Sequence, residues 1–246
     1  MLRIAISGST GRMGLALIDA LSEHKDLKLV GGVAREKNKN IGKDLGEIAG
    51  EERIGVILSS NLNDLPQIDV LIDFSEANFS LRSVEYAKKH NKPLVLGTTG
   101  YQDEDLKLIN ETSEHIPLLK VPNTSIGIAF LKKIIDLTSD SFSYFDKLEI
   151  LERHHKDKID SPSGTALDLA NSISSRLKNG GSINIESKRT GDNAGEHRII
   201  LSSDYERIEL THKAFDLSIY AEGALIGAKW LKSKPKGLYS MSDIYS

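Results

Sequence analysis

The chain has 246 residues, 39% of them hydrophobic, with 32 basic against 35 acidic side chains and no cysteine. A net charge of −3 supplies no bulk attraction to nucleic acid or to an anionic membrane surface. The lack of cysteine excludes disulfides, thiolate catalysis and cysteine-held clusters, and it suits a reducing cytoplasm. The length supports one large domain or two smaller ones with real cores. No apolar run is long enough to span a bilayer, and the N-terminus has no signal-peptide pattern.

Leu2 to Ser7 is an apolar strand, followed by Gly8-Ser9-Thr10-Gly11-Arg12-Met13-Gly14 and then Leu15, Leu17, Ile18 and Leu21 at helical spacing. Strand, glycine turn and helix form the opening of a dinucleotide-binding unit. Gly8 permits the tight turn, Gly11 lets the backbone approach a pyrophosphate, and Gly14 lets the helix pack close to the sheet. The spacing is Gly-x-x-Gly-x-x-Gly, so its position at the start of a βαβ pattern matters more than the motif itself. Arg12 is either a phosphate contact or simply an exposed arginine at a helix start. The second strand, Leu27 to Val33, ends in Ala34-Arg35-Glu36. A neutral residue followed by arginine favours a 2′-phosphate and hence NADPH, while Glu36 leaves NADH open. Lys37 to Glu52 reads as a polar loop.

Val56 to Ser59 is a weak strand candidate and Asp69 to Phe74 a strong one, nearly continuous in apolar residues as a strand covered on both faces should be. Helices over Ser80–Lys89 and Asp103–Ser113 alternate with strands over Pro93–Leu96 and Leu118–Val121. This alternation predicts a Rossmann-like, doubly wound parallel sheet of the α/β class. Phe74, Gly97, Thr98, Thr99 and Asn123 all fall at strand ends, where such sheets bind ligands, though each alone is compatible with plain turn chemistry. Ile126 to Thr138 is helical, and the pattern then changes. Strands near Lys147–Leu151, Ile183–Ser187, Arg198–Leu201 and Arg207–His212 predict a smaller α+β domain with an open mixed sheet. Gly180-Gly181 and Gly191 to Gly195 read as its loops, and Leu217 to Leu231 as a helix returning to the first domain. The expected division is 1–124 with 217–246 for dinucleotide binding, and 125–216 for substrate binding and oligomerisation. Lys232 to Ser246 has no clear pattern.

Glu149 to Ala166 concentrates chemistry: Glu152, His154, His155, Lys158 and a helix start at Ser161-Pro162-Ser163-Gly164-Thr165. The apolar run Ala166, Leu167, Leu169, Ala170, Ile173, Leu177 is helical, with Ser161 or Ser163 as its N-cap. Free N–H groups at that helix start and a nearby lysine suit an anion, and His154 or His155 suits proton transfer near neutral pH. The alternative is an exposed polar loop beside an ordinary capped turn. No metal site is expected, since adjacent histidines on a strand point to opposite faces.

Together these residues resemble the dihydrodipicolinate reductases. The matching pieces are Gly8-x-x-Gly11-Arg12-Met13-Gly14, Asp73-Phe74-Ser75, Gly97-Thr98-Thr99-Gly100, Asn123-x-Ser125, and above all Glu152-x-His154-His155-x-x-Lys158-x-Asp160-x-Pro162-Ser163-Gly164-Thr165-Ala166. Gly195-Glu196-His197 and Gly223-Ala224-Leu225 also fit. The resemblance implies a cytoplasmic, NADPH- or NADH-dependent reductase of the lysine and diaminopimelate route, without a metal, acting on a cyclic dicarboxylate as a homotetramer. It implies that His154 is the acid/base and Lys158 the proton donor, and that His155, Gly164 and Thr165 hold substrate carboxylates. It further implies that Gly8 to Met13, Arg35, Phe74, Gly97 to Thr99, and Val121, Pro122, Asn123 and Thr124 hold the cofactor. Ala34, Thr124 and Asp216-Leu217 depart from the usual pattern, which has an acidic residue, a bulky residue and a Ser-Arg pair there. Two other readings are a related amino-acid or sugar dehydrogenase and a non-catalytic NAD(P) sensor. Neither gives a reason for the intact His154 to Thr165 block.

Overall fold

A computed structural model describes residues 1–156, 158–175 and 183–245. In chain order the elements are β1 (Leu2–Ser7), α1 (Arg12–Glu23), β2 (Leu27–Val33), α2 (Leu45–Ala49), β3 (Leu58–Ser59), β4 (Val70–Asp73), α3 (Ala77–His90), β5 (Leu94–Leu96), α4 (Asp103–Ser113) and β6 (Pro117–Lys120). They continue with α5 (Ile126–Thr138), β7 (Lys147–His154), α6 (Gly164–Ser174), β8 (Asn184–Arg189), β9 (Gly195–Ser202), β10 (Arg207–Ala214), α7 (Ser218–Leu231) and β11 (Gly237–Tyr239). The chain forms two compact units, Met1–Thr124 with Tyr220–Ser246, and Ser125–Ile219. Leu177 and Gly180-Gly181, read above as helix and loop, lie outside the described residues.

The first unit is built on a seven-stranded parallel sheet in the order β11-β6-β5-β4-β1-β2-β3. Its central strands are apolar on both sides: Ile4, Ala5 and Ile6 of β1 and Val70, Leu71 and Ile72 of β4 are fully buried. β1 lies between β2 and β4, so the chain reverses its winding there. The carboxyl ends of β1 and β4 flank the crevice where doubly wound sheets take ligands.

Two segments of this unit have order that the sequence pattern did not predict. Within Lys37–Glu52, Asp44 caps the short helix α2, and its buried carboxylate accepts from the backbone N–H groups of Gly46, Ile54 and Gly55 at 2.7–3.0 Å. Gly50, left-handed at φ 86°, ends that helix. Beyond α7, β11 joins the edge of the sheet beside β6.

The second unit has a mixed four-stranded sheet in the order β10-β9-β7-β8. β7 and β8 run parallel, and the other pairs run antiparallel. α5 and α6 cover one face. Ile128, Leu131 and Ile135 from α5 and Ala166, Leu169 and Ile173 from α6 pack on Ile150, Ile199 and Leu201. Period-two alternation sends Ile150, Glu152 and His154 of β7 to that covered face, with His197, Ile199 and Leu201 of β9. The covered face therefore changes along its length from apolar to polar. Its polar end carries Glu152, His154, His197 and His212, all buried.

Candidate active site

In the first unit the β1–α1 turn is shaped by its glycines. Gly8 sits at φ 80°, and a Cβ there would lie 2.5 Å from the Phe74 carbonyl oxygen; one on Gly14 would lie 2.3 Å from the Gly8 carbonyl oxygen. These positions exclude side chains and leave the backbone bare. Gly11 is the N-cap of α1 and supplies no side-chain cap, so the first N–H groups of the helix remain available to an anion. Ser9 donates its hydroxyl to the Val33 carbonyl, and Thr10 accepts from the Asn38 side-chain amide at 2.8 Å. The turn thus fits the pyrophosphate of a dinucleotide.

A cavity of about 350 Å³ opens beside this turn, lined in part by Gly8, Gly11, Ala34, Arg35 and Phe74. A larger one of about 770 Å³ shares Thr10, Arg35 and Asn38 and adds Lys37, Lys39 and Arg82. Arg35 is ion-paired there with Glu76 at 2.9 Å. At the ends of β4 and β5, Thr98 donates to Asp73 at 2.6 Å, and Ser75 donates to Asp73 through both its N–H and its hydroxyl. A Cβ on Gly97 would lie 2.2 Å from the Phe74 ring, so only glycine leaves room for the ring here. Val121 and Thr124 are buried, whereas Pro122 is exposed.

The second unit's site grows from the polar end of its sheet. His154 ends β7, and its Nδ1 hydrogen-bonds to the Glu152 carboxylate. A carboxylate only accepts, so Nδ1 carries the proton and Nε2 presents a lone pair. The other Glu152 oxygen accepts from Arg189 Nη2 at 2.8 Å and from the Ser163 N–H at 3.2 Å. Ser163 is the N-cap of α6: its hydroxyl accepts from the Ala166 N–H at 3.2 Å and faces His197 Nε2 at 3.3 Å. The His154 and His197 rings meet edge to face, with centroids 5.1 Å apart. His155 follows β7 in a turn held by Asn193, whose carbonyl accepts from the His155 N–H at 2.9 Å. Lys158 in the same turn pairs with Asp160 at 2.8 Å. Gly164 has open space where a Cβ would stand, and Thr165 is buried in the first turn of α6.

Electrostatics sharpens these roles. Burial raises the Glu152 pKa, but Arg189, Ser187 and His154 together outweigh it and hold the carboxyl at about 2. Burial, with smaller help from Lys158 and Arg189, holds His154 below the ordinary histidine range against the opposing pull of Glu152. The pair at neutral pH is therefore a carboxylate beside a neutral imidazole. Burial pushes His197 down to about 3 and also lowers His212.

Glu152, His154 and His197 each offer a donor atom, all within 4.8 Å of one another. They nevertheless do not fit a metal ion. The Arg189 guanidinium already supplies the positive charge at Glu152, and His154 Nδ1 is committed as a donor to the same carboxylate.

The structure brings the predicted residues into two groups, one in each unit. Gly8 to Met13, Arg35, Phe74, Gly97 to Thr99 and Val121 to Thr124 belong to the first, at the carboxyl ends of its strands. His154, His155, Lys158, Gly164 and Thr165 belong to the second, around the end of β7 and the start of α6. Sequence reasoning did not single out Asn38 and Glu76 in the first group, nor Arg189 and His197 as partners in the second. Glu152 stood within the quoted motif, but only the alternation along β7 reveals that it shares a buried face with His154.

Comparison with known proteins gives one family across the chain. A family model described as dihydrodipicolinate reductase, N-terminus, matches residues 2–124, and its C-terminal counterpart matches residues 127–245. The chain is 35% identical to a 4-hydroxy-tetrahydrodipicolinate reductase from Colwellia psychrerythraea, covering 98% of this chain and 97% of that one. Among solved structures it is similar to a dipicolinate-bound dihydrodipicolinate reductase from Paenisporosarcina, with a TM-score of 0.80, 24% identity and 99% of each chain covered. It is also similar in fold to an amine dehydrogenase from Mycobacterium smegmatis, with a TM-score of 0.74, 11% identity and coverage of 98% and 95%.

Proposed function

The chain belongs to the dihydrodipicolinate reductase family, and from that premise we propose that it reduces 4-hydroxy-tetrahydrodipicolinate to tetrahydrodipicolinate in lysine and diaminopimelate biosynthesis. The observation that carries the reading is the buried His154–Glu152 pair beside Lys158 and the amino end of α6. Anion-binding amides, a cation and a tunable imidazole suit a cyclic dicarboxylate whose reduction consumes a proton and releases water. The relative named for binding dipicolinate supports the same class of ligand.

Bound NAD(P)H supplies the hydride. His154 manages the proton through Nε2, and Lys158 donates a proton once the substrate draws it from Asp160. His155 and the N–H groups at Gly164 and Thr165 hold the carboxylates. Gly8 to Met13, Arg35, Phe74, Gly97 to Thr99 and Val121 to Thr124 hold the cofactor. NADPH is preferred over NADH, supported by Arg35 and by the lysines and arginine that line the larger cavity with it. The active form is a homotetramer assembled through the second unit's sheet. A reductase drawing on the NAD(P)H pool belongs with that pool in the cytoplasm, which cell fractionation checks. Among the described residues no helix is long and apolar enough to cross a membrane.

The test is loss of reduced-nicotinamide absorbance with substrate generated in situ by its synthase. Decay only in the presence of substrate is expected. Cofactor binding with no substrate-dependent decay contradicts the proposal.

A further inference from the structure

The acid/base reading leaves open why a carboxylate and a guanidinium are buried behind His154, on a face that is otherwise core. We propose that Glu152, clamped by Arg189 and by the Ser163 N–H, is the positioning residue of this active site, fixing the tautomer and orientation of His154 and tying it to the anion-binding end of α6. The proposal rests on the acid/base assignment of His154.

The geometry supports a dedicated clamp over incidental burial. The Glu152 side chain has no exposure, and each of its oxygens is engaged: Oε2 by His154, and Oε1 by Arg189 at 2.8 Å and Ser163 N at 3.2 Å. The partners come from four elements or their flanks. Arg189 ends β8, Ser163 caps α6, His154 ends β7, and His197 of β9 stands edge-on to His154. β8 pairs with β7 in a register that places Arg189 opposite His154. The Arg189 guanidinium also donates to the Asp160 carbonyl, at the far end of the turn that carries Lys158. One ion pair therefore fixes the imidazole, the turn that carries the lysine and the helix start together. A fully buried carboxylate persists as an anion only with such compensation. As an anion it can accept from Nδ1, which leaves Nε2 as the reactive nitrogen.

The charged and titratable groups facing His154 are Glu152, Arg189, Lys158 and His197, with Asp160 behind Lys158 and His212 behind His197. They give the test two opposite signs. Glu152 favours the imidazolium and Arg189 opposes it. The titration of His154 is followed by nitrogen-15 NMR in the full-length protein, alongside kcat, KM and cofactor binding. In Glu152→Gln the titration moves to lower pH and kcat falls about tenfold or more, while the Kd for NADPH is unchanged. In Arg189→Gln it moves to higher pH. Glu152→Asp keeps the charge and restores the titration in part. A merely structural role predicts no opposed shifts. If His154→Ala abolishes turnover but Glu152→Gln leaves both kcat and the His154 titration in place, this assignment is overturned and the acid/base reading stands. If His154→Ala retains full turnover, the acid/base reading fails and this assignment fails with it. Should Glu152→Gln not fold, the upward shift in Arg189→Gln decides, and its absence overturns the assignment.

Discussion

At the scale of single residues, the proposed preference for NADPH turns on Arg35. Its guanidinium lies over half exposed and paired with Glu76, so the pair contributes little to stability. A 2′-phosphate is a stronger, bidentate partner than that carboxylate. Arg35→Ala should lower kcat/KM for NADPH about tenfold and leave NADH nearly unchanged; an equal loss with both cofactors would contradict the role given to Arg35. Two of the departures from the family pattern also find local reasons. Thr124 is buried and donates its hydroxyl to the Tyr220 carbonyl at 2.6 Å, joining the end of the sheet to α7. Gly223 is required beside it, since a Cβ there would lie 1.8 Å from the Thr124 carbonyl oxygen. Asp216 accepts from the Ser218 N–H at 2.7 Å and so stabilises the start of α7. What the sequence made legible here was residue type within a contiguous motif. Arg189 was not legible, because it reaches Glu152 only through strand pairing across 37 positions.

At the scale of elements, most strands and helices were readable, because burial on both faces or on one stripe leaves a period in the sequence. Leu2–Ser7, Leu27–Val33, Asp103–Ser113 and Ile126–Thr138 are the elements as read. α2 and β11 were not read, for a physical reason. Five- and three-residue elements carry no period, and they are fixed by the Asp44 cap and by pairing with β6. The polar end of the second sheet shows how helix starts and buried histidines satisfy one another. Ser125 accepts from the Ile128 N–H at 3.3 Å and meets His212 Nε2 at 3.0 Å, much as Ser163 serves α6 and His197.

This arrangement stores histidines in their neutral form, and a pH dependence follows. Folded His197 titrates at about 3, whereas the unfolded chain binds that proton at about 6.5. Protonation therefore favours the unfolded state. The stability present above about pH 6.5 is lost as pH falls toward the folded value, at a slope approaching about 1.4 kcal/mol per pH unit. Urea midpoints measured from neutral to mildly acidic pH should fall more steeply for the native sequence than for His197→Gln. Parallel curves would show that His197 does not contribute in this way.

At the scale of the whole molecule, the glycine turn lies in the unit with the parallel sheet and the Glu152–His154 pair in the unit with the mixed sheet, so the proposed function gives nucleotide binding to one unit and proton handling to the other. The alternation of strands and helices followed by a change to strand-rich chain made the two kinds of sheet legible. The face of the mixed sheet opposite α5 and α6 was not legible in detail. It bears Leu151 and an ion-pair network in which Arg198 meets Glu196 and Glu209, each at 3.2 Å, and Arg207 meets Glu209 at 2.7 Å. The proposed homotetramer pairs this sheet between copies. Sedimentation velocity should therefore give a species of four chains, and Arg198→Glu should dissociate it; a monomer at micromolar concentration would contradict the assembly.

The claim on which the account rests is that His154 carries the proton chemistry of a reductase. Single-turnover reduction by His154→Ala, with NADPH prebound and substrate generated in situ, tests it most directly. A loss of about a hundredfold or more in the chemical step is expected, with the Kd for NADPH unchanged. A variant that oxidises NADPH at the native rate would contradict it.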